Sequence, residues 1–309
     1  MPPPKILVIR GGAIGDFILT LPVLAALRSQ FPRVELEVLG YSHIAELAVA
    51  GGLAERVRRI EARPLAGFFA RHGDLDPELM DYFAGFEIIV SYLYDPDQVF
   101  QDNVARCGPA QFIAGPHRPS DQLRCHATEL LLQPLERLAI FGADPIPRLA
   151  LHTTPTQEAA QPSESTLAIH PGSGSERKNW PEEAWTQLLK SLISRPDRSC
   201  LIVGGEAEGA RIDRMASAVP AQRCRVAKSL PLVRVAELLR HCDGFLGHDS
   251  GISHLAAALG IRGLILWGPT PIDVWRPRGD HIRILHHAAG LESLSVATVL
   301  ENFQEWVEP

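Results

Sequence analysis

The chain alternates between short unbroken apolar runs and longer stretches in which apolar residues recur every three or four positions, predicting strands and helices in turn. Lys5-Ile6-Leu7-Val8-Ile9-Arg10 is apolar throughout its middle, as a parallel strand buried on both faces must be. A glycine-rich turn, Gly11-Gly12-Ala13-Ile14-Gly15-Asp16, follows it. Residues 17–31 then have helical spacing, with Leu21, Leu24 and Leu27 on one face and Pro22 early enough to be tolerated. Val34-Glu35-Leu36-Glu37-Val38-Leu39 alternates as a second strand, and residues 44–50 form a second short helix. This order is the start of a doubly wound α/β sheet. Farther along, residues 87–91 and 111–115 read as strands and residues 127–141 as one long amphipathic helix.

Residues 153–165 are rich in Thr, Pro, Gln, Ser and Ala without an apolar period, the signature of a linker. We therefore expect one Rossmann-like domain over residues 1–155 and another over residues 166–290. In the second series Thr166-Leu167-Ala168-Ile169-His170 is a strand, residues 171–180 are a polar glycine-rich loop, and Pro181-Glu182-Glu183 opens a helix. Strands follow at Leu201-Ile202-Val203, at Cys242-Asp243-Gly244-Phe245-Leu246 and at residues 263–267, with helices at residues 211–218, 233–241 and 294–306. The loops after the strands carry the polar and glycine residues, which makes one edge of this sheet a ligand edge.

Composition narrows the function classes. The 309 residues are 46% hydrophobic and 21% charged, ordinary for a soluble chain with two cores. A net charge of -6 and a pI near 6.1 argue against a nucleic-acid partner. Cys107, Cys125, Cys200, Cys224 and Cys242 lack any C-x-x-C pairing, so neither a disulfide frame nor a zinc site is indicated and a reducing cytoplasm fits. Nothing near the start resembles a signal peptide, and no apolar run approaches the roughly 20 residues of a membrane span. Any membrane contact is expected to be peripheral.

The candidate chemistry lies where strands feed helices. At Gly247-His248-Asp249-Ser250-Gly251 an apolar run enters an alanine-rich helix. Backbone N–H groups at such a start lack partners inside the helix and the macrodipole adds positive charge, so a diphosphate can rest there, with Gly251 allowing close approach. The plainer alternative is an N-cap by Asp249 or Ser250, with His254 packed in a core. The first glycine turn fails as a dinucleotide fingerprint, because Arg10 stands where glycine is needed and Leu39-Gly40-Tyr41 closes the second strand without an acid. No G-K-[ST] makes it a P-loop either. It does place Asp16 at a helix entry on the sheet's carboxyl edge, as ligand group or as simple cap. A loop with His117, Arg118, Arg124 and His126, and the cluster Arg56, Arg58, Arg59 and Arg63, offer positive charge to an anionic ligand, although solvated surface more often explains such clusters.

Four ordered motifs now carry a resemblance: Arg10-Gly11-Gly12-Ala13-Ile14-Gly15-Asp16 with Leu21-Pro22; His170-Pro171-Gly172-Ser173 with Lys178-Asn179-Trp180-Pro181; Asp249-Ser250-Gly251 with His254-Leu255-Ala256-Ala257-Ala258; and Gly268-Pro269-Thr270. Together they resemble glycosyltransferase family 9, the bacterial ADP-heptose:lipopolysaccharide heptosyltransferases. The resemblance implies a GT-B fold, two Rossmann-like doubly wound domains facing across a cleft. It places the acceptor on the first domain and the nucleotide-sugar on the second, and packs the final helix, residues 294–307, back on the first. It also implies inverting transfer with no metal and no cofactor beyond the ADP-sugar donor.

Carried over residue by residue, Asp16 matches the general base, Lys178 the group facing the donor diphosphate, and Asp249 the one near the donor sugar, with Ser250, Gly251 and His254 around the phosphates. Ser173 and Ser175 compete for one phosphate contact, because their loop is slightly longer than in some relatives. Glu206 matches the ribose contact, and Leu230 lies where adenine would pack. Arg10, Gly12, Arg118, Arg124 and His126 are expected on the side of an anionic lipopolysaccharide-type acceptor. The expected protein is a cytoplasmic monomer, at most peripheral at the inner face of the inner membrane. Two other classes share these features: an epimerase of nucleotide-sugars, and a bilobal sugar-binding protein without turnover, against which the intact Asp16, Lys178 and Asp249 weigh. The donor sugar, the acceptor, the anomeric linkage and the oligomeric state stay open.

Overall fold

Each half of the chain is laid down around one strand that is apolar on both faces. The computed structural model describes residues 3–122, 124–152, 165–205 and 208–307, and the chain divides into two units, Met1–His152 and Thr153–Pro309. Most of the expected linker, residues 153–164, lies outside the described residues.

In the first unit the central strand is β1 (Lys5–Arg10), whose Ile6, Leu7, Val8 and Ile9 are buried. With β2 (Glu35–Gly40), β3 (Arg56–Arg59), β4 (Ile88–Ser91) and β5 (Gln111–Ala114) it makes an all-parallel sheet in the order β3-β2-β1-β4-β5. The connecting helices are α1 (Ile14–Ile18), α2 (Leu21–Gln30), α3 (Ser42–Ala50), α4 (Pro77–Ala84), α5 (Val99–Ala105) and α6 (Ala127–Leu132).

Two expected helices are broken, both by proline. Residues 17–31 divide at Leu19-Thr20, because Pro22 has no N–H to offer the Ile18 carbonyl and its ring crowds that carbonyl; the Thr20 hydroxyl bonds the Asp16 carbonyl instead (2.8 Å). Residues 127–141 stay α-helical only to Leu132, and Pro134 turns the rest into a 3-10 segment, Gln133–Leu138. Strand β3 was hidden in the arginine cluster. There Arg56 pairs with Glu35 (3.3 Å) and Arg58 lies over the Tyr82 ring (4.2 Å), so half of the expected anion patch is engaged in holding a sheet edge.

The second unit repeats the winding with one more strand. β6 (Ser165–His170), β7 (Arg198–Gly204), β8 (Cys224–Lys228), β9 (Gly244–His248), β10 (Gly263–Trp267) and β11 (Ile282–His286) form a parallel sheet in the order β11-β10-β9-β6-β7-β8. Its helices are α7 (Glu182–Ile193), α8 (Gly209–Ser217), α9 (Leu232–Leu239), α10 (Gly251–Ala258), α11 (Ile272–Trp275) and α12 (Val296–Val307). The edge strands β8 and β11 escape sequence reading because their residues are half exposed and lack a continuous apolar run.

The last helix requires a correction. It does not belong to the first unit's core: Val299, Phe303 and Val307 are buried among Leu167, Trp185, Leu246 and Leu264 of the second. The physical reason is Gly244, which leaves β9 bare enough for α12 to lie on it; a Cβ there would meet a Val307 methyl at 2.2 Å. No helix among the described residues is long and apolar enough to cross a membrane.

Candidate active site

In each unit the parallel register brings the carboxyl ends of the central strands to one edge, where Ile9 lies beside Ser91 and His170 beside Gly247. Both edges carry an ion pair.

In the first unit, β1 ends on Arg10, only 3% exposed. Its Nη1 donates to the His117 carbonyl (2.7 Å), its Nε to the Asp16 carbonyl (3.3 Å), and its Nη2 stands 3.4 Å from Asp16 Oδ1. Burial pulls the guanidinium below its ordinary pKa, and Asp16 opposes that pull. The other carboxylate oxygen of Asp16 accepts the Ala13 N–H (2.9 Å). Asp16 therefore does cap α1, yet its side chain stays 31% exposed. Gly12 is required beside it: its φ is +104°, and a Cβ there would sit 2.7 Å from Asp16 Oδ2.

In the second unit, the Lys178 ammonium donates to Asp249 Oδ2 at 2.6 Å, with the lysine side chain 30% exposed and the carboxylate 8%. Asp249 closes the turn into α10. Ser250 is the N-cap, its Oγ accepting the Ser253 N–H (3.3 Å), and the Ser253 hydroxyl donates to the His248 carbonyl. At such a helix start the Gly251 and Ile252 amides have no acceptor within the helix. His254 is buried in the same helix.

What fixes Lys178 is a residue that the sequence did not single out. His248 is fully buried at the end of β9, and its Nε2 accepts the Trp180 N–H (2.8 Å) and the Trp185 indole N–H (3.3 Å). Two donors on Nε2 assign the ring hydrogen to Nδ1. Burial, reinforced by neighbouring His170, pushes His248 down to about 3, so the ring is a neutral acceptor at physiological pH. Trp180 also donates its indole N–H to the Leu294 carbonyl (3.0 Å), and Gly268 lies against the Lys178 backbone. The loop carrying Lys178 is thus pinned on three sides. The only prior signal was a histidine inside an otherwise apolar run.

The remaining expected residues are scattered along the two edges. Ser173 Oγ is turned into its own loop, donating to the Ser175 carbonyl (2.8 Å). Leu230 is 42% exposed just after β8, next to Ser229 in the left-handed region (φ 52°). Glu206 lies outside the described residues. Close by, Glu208 accepts the Gly205 N–H (2.9 Å) and packs against Gly172, putting an unforeseen carboxylate on this edge.

Two residues expected on the acceptor side are buried: Arg10 holds Asp16, and His126 is 3% exposed, capping α6 by accepting the Thr128 N–H (3.2 Å). Arg118 and Arg124 are exposed. Among the described residues no group of three or more His, Cys, Asp or Glu stands together as a metal site would require.

The family model described as glycosyltransferase family 9 (heptosyltransferase) matches residues 131–301, more than half of the chain, leaving Asp16 outside the match. Lipopolysaccharide heptosyltransferase 1 of Pseudomonas aeruginosa is 32% identical over 111 residues, which is 36% of this chain but only 31% of that relative. Among solved structures, the fold is similar to that of E. coli ADP-heptose lps heptosyltransferase II (TM-score 0.77, 16% identity, 98% of each chain). It is also similar to the E. coli heptosyltransferase WaaC with ADP (TM-score 0.74, 17% identity, 97% of this chain and 99% of that one). These likenesses show the two-domain GT-B type of fold.

Proposed function

Because the chain belongs to glycosyltransferase family 9, we propose that it moves a heptose from an ADP-sugar to a lipopolysaccharide-type acceptor, inverting the anomeric carbon and using no metal. The observation that carries this reading is that each unit presents the opposite member of an ion pair: the Asp16 carboxylate in the first and the Lys178 ammonium in the second. Inverting transfer needs both signs. Asp16 takes the proton of the acceptor hydroxyl as its oxygen attacks the anomeric carbon; the bond from that carbon to the diphosphate oxygen breaks, and its electron pair leaves with ADP. Lys178 and the first amides of α10 meet the negative charge growing on the diphosphate.

Ser250 and Gly251 belong to the phosphate-facing side of this assignment, and Leu230 to the adenine side. Relatives whose names include heptosyltransferase, and a neighbour solved with ADP, support the donor class. We assign the protein as a monomer working at the inner face of the inner membrane, where a lipid-linked acceptor is met; gel filtration and vesicle flotation check both points.

The test is ADP release from ADP-heptose, with and without deacylated heptose-deficient core oligosaccharide, with and without EDTA, and with product configuration read by NMR. Acceptor-dependent release, unaffected by chelation and giving inverted linkage, is expected. Conversion of the nucleotide-sugar without transfer would assign an epimerase instead, binding without turnover a sugar-binding protein, and loss on chelation would overturn metal independence.

A further inference from the structure

A cavity of about 340 Å3 opens within the first unit at the carboxyl ends of β4 and β5, lined by Tyr94, Asp95, Gln98, Gln101, Phe112 and His117 among others. Of the side chains that line it only His117 was given a role above, in the loop offered to an anionic ligand. Its volume falls in the range of small-molecule sites. It is linked to the proposed base through Arg10, because the carbonyl of the lining residue His117 is the acceptor of Arg10 Nη1 (2.7 Å), the same guanidinium that holds Asp16.

The lining specifies the kind of ligand. Tyr94 is 71% exposed, with its ring centroid 4.6 Å from that of His117, so this large aromatic contributes little to the core and forms an open platform. Gln98 and Gln101 supply amide donors and acceptors at the wall, and Gln98 holds the left-handed conformation (φ 58°) that a side chain rarely adopts. Asp95 is locked in place, its two oxygens accepting the Phe100 and Gln101 N–H groups of α5 (3.2 and 3.0 Å). Neither lysine nor arginine is among the lining residues. A fixed carboxylate without a cation disfavours a phosphate or a sugar acid, whereas an aromatic face ringed by amides suits the apolar face and hydroxyls of an uncharged sugar.

We infer that this cavity binds a neutral pyranose ring of the acceptor, stacked on Tyr94, next to the hydroxyl that reacts at Asp16. The inference rests on the transferase reading and narrows it: the acceptor already carries an uncharged sugar, so an earlier glycosyl transfer must supply it.

The probes are a deacylated core oligosaccharide ending in a neutral heptose and a matched fragment bearing only acidic sugars. They are used with the full chain and with Tyr94→Ala and Tyr94→Phe, reading both steady-state transfer from ADP-heptose and oligosaccharide binding by saturation-transfer NMR. The wild type should prefer the neutral-ended probe. Tyr94→Ala should raise its KM about tenfold or more, the scale of one lost aromatic contact, with kcat within about twofold and the KM for ADP-heptose unchanged. Tyr94→Phe, which keeps the ring, should behave as wild type. An unchanged KM in Tyr94→Ala, preference for the acidic fragment, or no binding of the neutral probe by the wild type overturns the inference. Tyr94-dependent binding without transfer would keep the cavity and sink the transferase reading.

Discussion

The two units place the same chemical pair on their sheet edges and turn it opposite ways. In the first the cation is hidden and the carboxylate shown, Arg10 at 2% and Asp16 at 31% side-chain exposure; in the second the carboxylate is hidden and the cation shown, Asp249 at 8% and Lys178 at 30%. The choice of cation follows the task. Arginine's planar fork makes several directed bonds at once, and Arg10 uses them on two backbone carbonyls and one carboxylate, which immobilises the acid beside it. Lysine is a point charge on a flexible stem, and Lys178 pairs with Asp249 while its side chain stays 30% exposed, as the proposed diphosphate contact would require. On the proposed assignment the first half would hold an acid still to receive a proton, and the second would keep a charge on a flexible stem to meet a leaving group.

The sharpest break in this comparison is Asp16→Asn. It should lower kcat by about 10²- to 10⁴-fold, the scale of a lost general base, while the melting shift given by ADP stays as in the wild type. Near-normal turnover would reduce Asp16 to the helix cap it also is. Next, Lys178→Ala should weaken ADP and ADP-sugar by about 10- to 100-fold, the worth of a charged hydrogen bond, and leave adenosine binding alone. Calorimetry with the three ligands decides this, and equal losses for all three would remove Lys178 from the phosphates.

Exchanging the cations sharpens the contrast further. Arg10→Lys should cost about tenfold in kcat and about 1–3 kcal/mol of stability, because one ammonium cannot satisfy three separated acceptors in the wall of the unit; Lys178→Arg should keep most ADP affinity. Thermal melts and kinetics on both variants test the pair, and equal tolerance of both swaps would erase the distinction.

A last effect, spread over several pH units, concerns His248. Its folded pKa of about 3 lies below the ordinary 6.5, so between these values the unfolded chain binds more protons. Stability that is fully present above pH 6.5 is therefore lost as pH falls toward 3, with a slope of at most about 1.4 kcal/mol per pH unit from this group. Denaturant melts between pH 4 and 7 should show that slope reduced in His248→Asn, whose amide oxygen can still accept the Trp180 N–H. An unchanged slope would mean that the ring is not held neutral.

Much of this was legible because the central strands advertise themselves. A run such as Ile6-Leu7-Val8-Ile9 has only one place in a doubly wound sheet, and the motif residues at its end are then carried to the ligand edge by topology alone. The rest depends on which surfaces meet, which a linear pattern does not encode. An amphipathic stripe shows that α12 must bury a face, but not that Gly244 provides the bare strand for it. Arg10 stands out by a motif and His126 by the charge of its loop, neither of which reports burial; that burial follows from partners as distant as the His117 carbonyl, which accepts from Arg10, and as near as the Thr128 N–H, which donates to His126. The cavity beside Tyr94 is assembled from segments around residues 91–101 and 112–117, and neither carries a signal by itself.

The seat of α12 also sets a timetable. The first unit needs nothing beyond its own residues to close its core, and at a ribosomal pace of about 5–20 residues per second it can do so while the second is still being made. The second unit cannot, because Gly244 and the β9 strand that leads to His248 and Asp249 stay uncovered until Phe303 and Val307 have emerged. The newborn chain thus carries a finished half that holds the acid and an open half that lacks its lid of apolar side chains.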